Sequence, residues 1–462
     1  MCFRFAAFAL AGLAGLVAAQ GAEPADLVIT RGRVVTMNAT RAVIDDGAVV
    51  IRGEKIVAVG PSAIAAGYTA ARTIDARGGI VLPGMVNAHT HVPMTVFRGL
   101  GDDVPDRLRR FIFPLEKALV DRDLVYWGSL LGLLEMLEGG VTTFADMYYF
   151  EDEVARATKQ AGLRAVLGQT IVDFPAPDAP EPYGGIALAK AFIAAHRGDP
   201  LITPAFAPHA PYTVDTARLR EIARASAELG APVLIHLAEM TEEMTKLRKE
   251  HDMTPVEYLD SLGLLNRRLV AAHCIFVTDR DIALLKERDA GVAHAIVANI
   301  KSAKGVAPAL KMFNDGLRVG LATDGPMSGN TLDIVGQLGY VAKVHKLDRK
   351  DRNVMPAAAV VEMATLGGAR ALHLEDKIGS LEPGKLADLV IVDTESTAML
   401  PLYDVYSALV YAASPRDVRT TIVHGRILME DRAVKSLDPA AIKARMRALA
   451  AKINAAIAAG LK

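Results

Sequence analysis

The stretch Val81-Leu82-Pro83-Gly84-Met85-Val86-Asn87-Ala88-His89-Thr90-His91 is a short apolar run that ends in two imidazoles. Seven more such runs follow it: Val141–Met147, Arg164–Asp173, Ile202–Pro208, Val233–Glu239, Leu269–Ile275, Gly291–Ala298 and Arg318–Asp324. The gaps between them carry helical periodicity, as over 121–138, 216–229 and 279–288. Strict alternation of strand and helix over eight units predicts an α/β fold, a (β/α)8 TIM barrel. In that architecture the chemistry gathers at the C-terminal ends of the strands.

Outside the barrel the pattern is all β. Asp26–Met37, Gly47–Ile51 and Lys55–Val59 alternate around turn residues and predict a meander, and β-branched runs return at Ala387–Val392 and Val418–His424. The two distant segments are expected to share one small β-sandwich built from both chain ends. Helical spacing over 439–459 predicts a C-terminal helix. At the other end, Arg4 precedes the apolar run Phe5–Ala19, and the small residues Val17 and Ala19 suit cleavage after Ala19. The expected organisation is a signal peptide over 1–19, sandwich over 20–80 and 381–435, barrel over 81–380 and a helix over 436–462. The expected location is outside the cytoplasm, periplasmic or secreted. Cys2 would leave with the leader, so Cys274 would have no disulfide partner.

The chain has 462 residues, 51% of them hydrophobic and 23% charged, enough for a large core. Its 52 basic and 53 acidic residues nearly cancel, so nothing points to nucleic acid or to an anionic membrane surface. The expected partner is a small molecule; homo-oligomerisation is left open. Polar residues cluster where strands end: His89, His91, His209, His236, Glu239, His273 and Asp324. His89 and His91 are two apart and so share one face of a strand. With His236 and Asp324 they make a set of three imidazoles and one carboxylate. Such a set suits one catalytic divalent metal with a position left for water, zinc by preference and iron(II) as the alternative.

The motifs Pro83–His91, His236-Leu237-Ala238-Glu239, Ala272-His273-Cys274 and Thr323-Asp324-Gly325, with the return segment Gly379–Leu389, resemble the amidohydrolase superfamily over nearly the whole mature length. Pro93-Met94-Thr95, Pro114-Leu115-Glu116, Pro208–Tyr212 and Ser328–Asp333 are most similar to the 5′-methylthioadenosine/S-adenosylhomocysteine deaminases. The resemblance implies a single metal and hydrolytic loss of ammonia from an adenosine-type nucleoside. It implies catalytic roles for Glu239, His273 and Asp324, and substrate contacts at Glu116, Gln169, His209 and Glu239. An aminotriazine or chlorotriazine hydrolase, a guanine or pterin deaminase and a cyclic amidase of the same superfamily are the alternatives. Three features depart from the resemblance: an export leader, Gln169 where the third strand would carry an arginine, and His294-Ala295-Ile296 in place of His-Asn-Pro. A neutral Gln169 cannot clamp a carboxylate as a guanidinium fork does, so uncharged 5′-substituents are expected to be preferred.

Overall fold

A computed structural model of the protein describes residues 22–459. The leader reading and Cys2 lie outside the described residues. Eight parallel strands, Met85–Thr90, Val141–Tyr148, Arg164–Ile171, Ile202–Pro208, Val233–Leu237, Leu269–His273, Gly291–His294 and Arg318–Leu321, are hydrogen-bonded in chain order. The eighth closes on the first through the Asp324 backbone N–H, which donates to the His89 carbonyl at 3.1 Å. The Asn87 amide adds a bond to Thr323 Oγ1 at 2.7 Å. Every residue of the second and third strands is buried, because both faces of the sheet are covered. The inner face is filled by small side chains such as Val86, Ala88, Ala145, Ala205 and Ala272. Bulkier residues, Phe144, Phe206 and Ile235 among them, pack outward against the helices.

Several helices begin where the residue types place them. Asp121 caps Arg122–Glu138 by accepting from the Leu124 N–H, and Thr278 with Asp281 forms a capping box for Asp279–Glu287. The last helix, Pro439–Ala458, is capped by Asp438 and lies against Arg122–Glu138, where Arg445 pairs with Asp123.

The first apolar run is two strands, not one. Ile80–Pro83 belongs to the second sheet, where it pairs antiparallel with Leu389–Val392 and parallel with Glu23–Val35. The barrel strand starts only at Met85. Gly84 is the joint: a Cβ there would sit 2.1 Å from Thr142 Oγ1, so no other residue passes. The seventh run also ends early, at His294, and its apolar remainder opens the helix Ile296–Lys301. A short, wholly buried apolar run has no periodicity with which to tell strand from helix.

The expected sharing between chain ends is present. The second sheet has nine strands, and Leu389–Val392, Val418–Val423 and Arg426–Glu430 join it to the N-terminal strands. Its strands form one continuous hydrogen-bonded sheet, and the segments from the two chain ends share a core containing Ile29, Val49, Ile51, Leu389, Ile391 and Ile422. A fully buried ion pair ties this sheet to the barrel. Arg164, at the start of the third barrel strand, donates to Asp388 Oδ2 at 2.8 Å and to Oδ1 at 3.3 Å. Asp388 Oδ1 also accepts the His424 N–H at 2.7 Å.

Candidate active site

Strand ends carry the site. His89 lies in the first strand, His91 one residue past its end, His236 in the fifth and His273 at the end of the sixth; Asp324 lies just past the eighth, and all five are buried. Ala238 (φ +50°), His273 (φ +72°) and Asp324 (φ +60°) take left-handed backbone conformations, which stop the ladders and turn the side chains inward. Such conformations are costly for residues with a Cβ and concentrate at functional sites.

Asp324 Oδ1 stands 3.2 Å from His91 Nε2 and 3.6 Å from His89 Nε2. His91 Nδ1 donates to the Met147 carbonyl at 2.6 Å, and His236 Nδ1 donates to the His209 carbonyl at 2.8 Å. A carbonyl can only accept, so in both neutral rings the lone pair is on Nε2, and these two atoms face each other at 3.2 Å. Two acceptors so close need a cation or a proton between them. The buried Nε2 atoms of His89 and His273 have no hydrogen-bond partner among the described residues. His89, His236, His273 and Asp324 each offer a ligand atom within 4.8 Å of the others. The donor set therefore fits one divalent metal. His273 competes with His91 for a place in it, yet its Nε2 also lies 3.6 Å from Glu239 Oε1, toward the substrate side. Where a proton rather than a cation lies between these atoms, it sits on His91: burial disfavours the charged ring, but the Asp324 carboxylate outweighs burial and holds its pKa at about 9. The same pairing keeps Asp324 well below the usual carboxylate range, against its own burial.

Around this centre sit residues that the sequence did not single out. Glu243 accepts the backbone N–H groups of Ala238 and Glu239 at 2.9 and 3.0 Å, which orients Glu239. Asn299 Oδ1 accepts His273 Nδ1–H at 2.8 Å. The Lys304 ammonium donates to Glu239 Oε1. Burial would raise the Glu239 carboxyl, but His273 and Lys304 beside it prevail and bring it down to about 2. Glu243 is findable as an acid four residues after Glu239. Asn299 and Lys304, on a helix and loop read as strand and connector, carry no local signal.

A cavity of about 410 Å³ opens onto these groups. His209 and Glu116 line it, as the sequence reading expects. Glu116 Oε1 accepts from Tyr148 Oη–H at 2.6 Å, and burial pushes its carboxyl up to about 7. Burial likewise takes His209 down to about 4. Gln169 is the exception. It does not line the cavity; its amide donates to Asp178 Oδ2 at 2.8 Å, and its neighbour Thr170 is at the wall instead.

Comparison with known proteins agrees with this geometry. Residues 80–428 match the amidohydrolase family. The chain is 42% identical over 437 residues to a 5-methylthioadenosine/S-adenosylhomocysteine deaminase of Syntrophobacter fumaroxidans, covering 94% of this chain and 100% of that one. A deaminase of the same name from Moorella thermoacetica is 42% identical over 407 residues, covering 87% and 94%. The crystal structure of an adenosine deaminase from Xanthomonas campestris with bound zinc superposes with a TM-score of 0.92 at 38% identity, over 94% of this chain and 100% of that one. An atrazine chlorohydrolase from Arthrobacter aurescens, at 23% identity and a TM-score of 0.86, shares the fold. With its barrel, its ring of strand-end histidines and a match that spans most of its length, the chain belongs to the amidohydrolase family.

Proposed function

We propose that the protein is a metal-dependent hydrolytic deaminase of adenosine-type nucleosides: 5′-methylthioadenosine, 5′-deoxyadenosine, adenosine or S-adenosylhomocysteine. The observation that carries this reading is a cluster of buried imidazoles around Asp324 beside a cavity lined by His91, His236, Asp324, Glu239 and Glu116, in a chain 42% identical to a 5-methylthioadenosine/S-adenosylhomocysteine deaminase. His89, His91, His236 and Asp324 would hold the metal. Zinc suits these donors and is bound by the similar adenosine deaminase, with iron(II) as the alternative. The metal, when bound, supplies a water acidic enough to attack near neutral pH.

The remaining steps belong to side chains. Glu239 is ionised, and its Oε2 makes no hydrogen bond among the described residues, so it can take one proton from the water and pass it to the ring nitrogen beside the reacting carbon. Asp324 takes the second proton and delivers it to the departing amine. The water oxygen thus ends on the ring carbon, one proton on the ring nitrogen and the other on ammonia. His273, held by Asn299 through Nδ1–H, presents the Nε2 lone pair to the attacking water and accepts from its O–H, which orients it. Glu116 and His209 contact the nucleoside.

Ammonia release by metal-replete protein tests the reading, with adenosine-type nucleosides, guanine, pterins and triazines compared side by side. Turnover of the nucleosides is expected; turnover of triazines alone overturns it. Gln169 faces Asp178, and Lys301 and Arg107 at the mouth are already engaged by Asp102 at 2.7 and 3.6 Å. Among the described residues that line the cavity, a carboxylate tail therefore meets no cation without a partner, and kcat/KM should favour 5′-methylthioadenosine over S-adenosylhomocysteine by about tenfold, the worth of one charge-assisted hydrogen bond. The run Phe5–Ala19 supports export, which N-terminal sequencing of fractionated protein tests.

A further inference from the structure

Of the cations that line the cavity, Lys304, Lys301 and Arg107, Lys304 is the one whose ammonium is bound to Glu239. It stands three residues past the helix Ile296–Lys301, between Ala303 (φ +52°) and Gly305 (φ +134°), two left-handed positions that bend the loop over the cavity. Its backbone N–H donates to the Asn299 carbonyl at 3.0 Å, while the Asn299 side chain holds His273. Its ammonium is bound to Glu239 Oε1, and the residue lines the cavity with Ser302 and Ala303. One short segment thus carries the partners of both His273 and Glu239.

We propose that Lys304 is a specificity-determining residue that selects substrates by what they carry on the ring carbon next to the nitrogen served by Glu239. This inference rests on the deaminase reading above. Glu239 Oε2 is free to meet the ring nitrogen, and Oε1 on the same carboxylate is held by the ammonium. In a purine whose reacting carbon is C6 that nitrogen is N1, so the edge running on from N1 to C2 lies beside Lys304. An ammonium has three N–H donors and no acceptor. A C2 hydrogen or a C2 oxo group is compatible with it; a C2 amino group sets donor against charged donor. The ammonium cannot withdraw easily, because Glu239 would lose its counter-ion in a buried setting.

The test compares 5′-methylthioadenosine with its 2-amino derivative on metal-replete wild type, Lys304→Ser, Lys304→Met and Lys304→Arg. Wild type is expected to favour the 2-unsubstituted nucleoside by about tenfold or more in kcat/KM, because an amino group set against a fixed cation makes no hydrogen bond with it. Lys304→Ser and Lys304→Met should bring the ratio close to one, and Lys304→Arg should keep it. Equal efficiencies in wild type overturn the proposal. So does an unchanged ratio in both neutral variants, even if their kcat falls, because that outcome confines Lys304 to holding Glu239. Turnover of neither nucleoside by any form overturns the deaminase reading, and this inference with it.

Discussion

Replacing Glu239 by glutamine isolates the proton transfer from the rest of the site. The residue is 7% exposed, its backbone N–H is fixed by Glu243 at 3.0 Å, and Lys304 holds Oε1, so the amide should take the same place with its oxygen toward the ammonium. What changes is chemical. A carboxylate held at about 2 is ionised throughout the neutral range and can take a proton; an amide cannot. General acid–base groups typically contribute about 10² to 10⁴ in rate, which at 1.36 kcal/mol per decade is about 3 to 5 kcal/mol of transition-state free energy. Glu239 is not in the proposed ligand set, and its Oε1 is held by the Lys304 ammonium, so the metal should stay. The assay is steady-state ammonia release from 5′-methylthioadenosine, with metal content and thermal midpoint measured on the same preparation. The expected result is a fall in kcat within that range, with about one metal per chain retained. A loss under about tenfold would place the proton shuttle on another residue. Loss of the metal would show that the carboxylate is a ligand.

His89→Ala and Asp324→Ala should each lower metal content, read by elemental analysis, and abolish turnover; full activity after exhaustive chelation would refute the metal assignment. Asp388→Asn removes the charge that Arg164 meets in a buried bidentate pair, with side chains 6% and 1% exposed, and should cost about 3 to 5 kcal/mol in urea unfolding. A cost below about 1 kcal/mol would mean that the barrel and the second sheet do not depend on this pair. For Glu116, a folded-state value raised from 4.5 to about 7 means that the protonated form favours the fold, so its contribution to stability is full below 4.5 and is lost as pH rises through about 7. An ionised Glu116 accepts from nucleoside hydroxyls more strongly than a protonated one, so kcat/KM should rise over the same interval, and Glu116→Gln should flatten that limb of the profile.

Much of the molecule was legible because its determinants are local. A strand buried on both faces must be apolar along its length, and the crossover helices must show their own period, so the eight units appear in order in the chain. Histidine and acidic residues at the ends of such strands stand out by type alone, which is why His89, His91, His236, Glu239, His273 and Asp324 were found without a structure. Glu116 and His209 came from motif likeness, and both line the cavity.

What escaped the sequence depends on distant contacts. The first run divides at Gly84 because Thr142, on another strand, leaves no room for a Cβ. Gln169 turns away from the cavity because Asp178 accepts its amide from a loop nine residues on. Arg164 and Asp388 are 224 positions apart and carry no mutual signal until the two sheets meet. Lys304 reads as one more loop lysine, and only the tertiary structure sets its ammonium on Glu239. Periodicity and residue type report the fold class and the polar residues at strand ends because backbone hydrogen bonding and strand-end geometry act over a few residues. Which polar atom meets which partner was decided by the closed barrel, since burial makes each such pairing obligatory and brings together atoms that the chain keeps far apart.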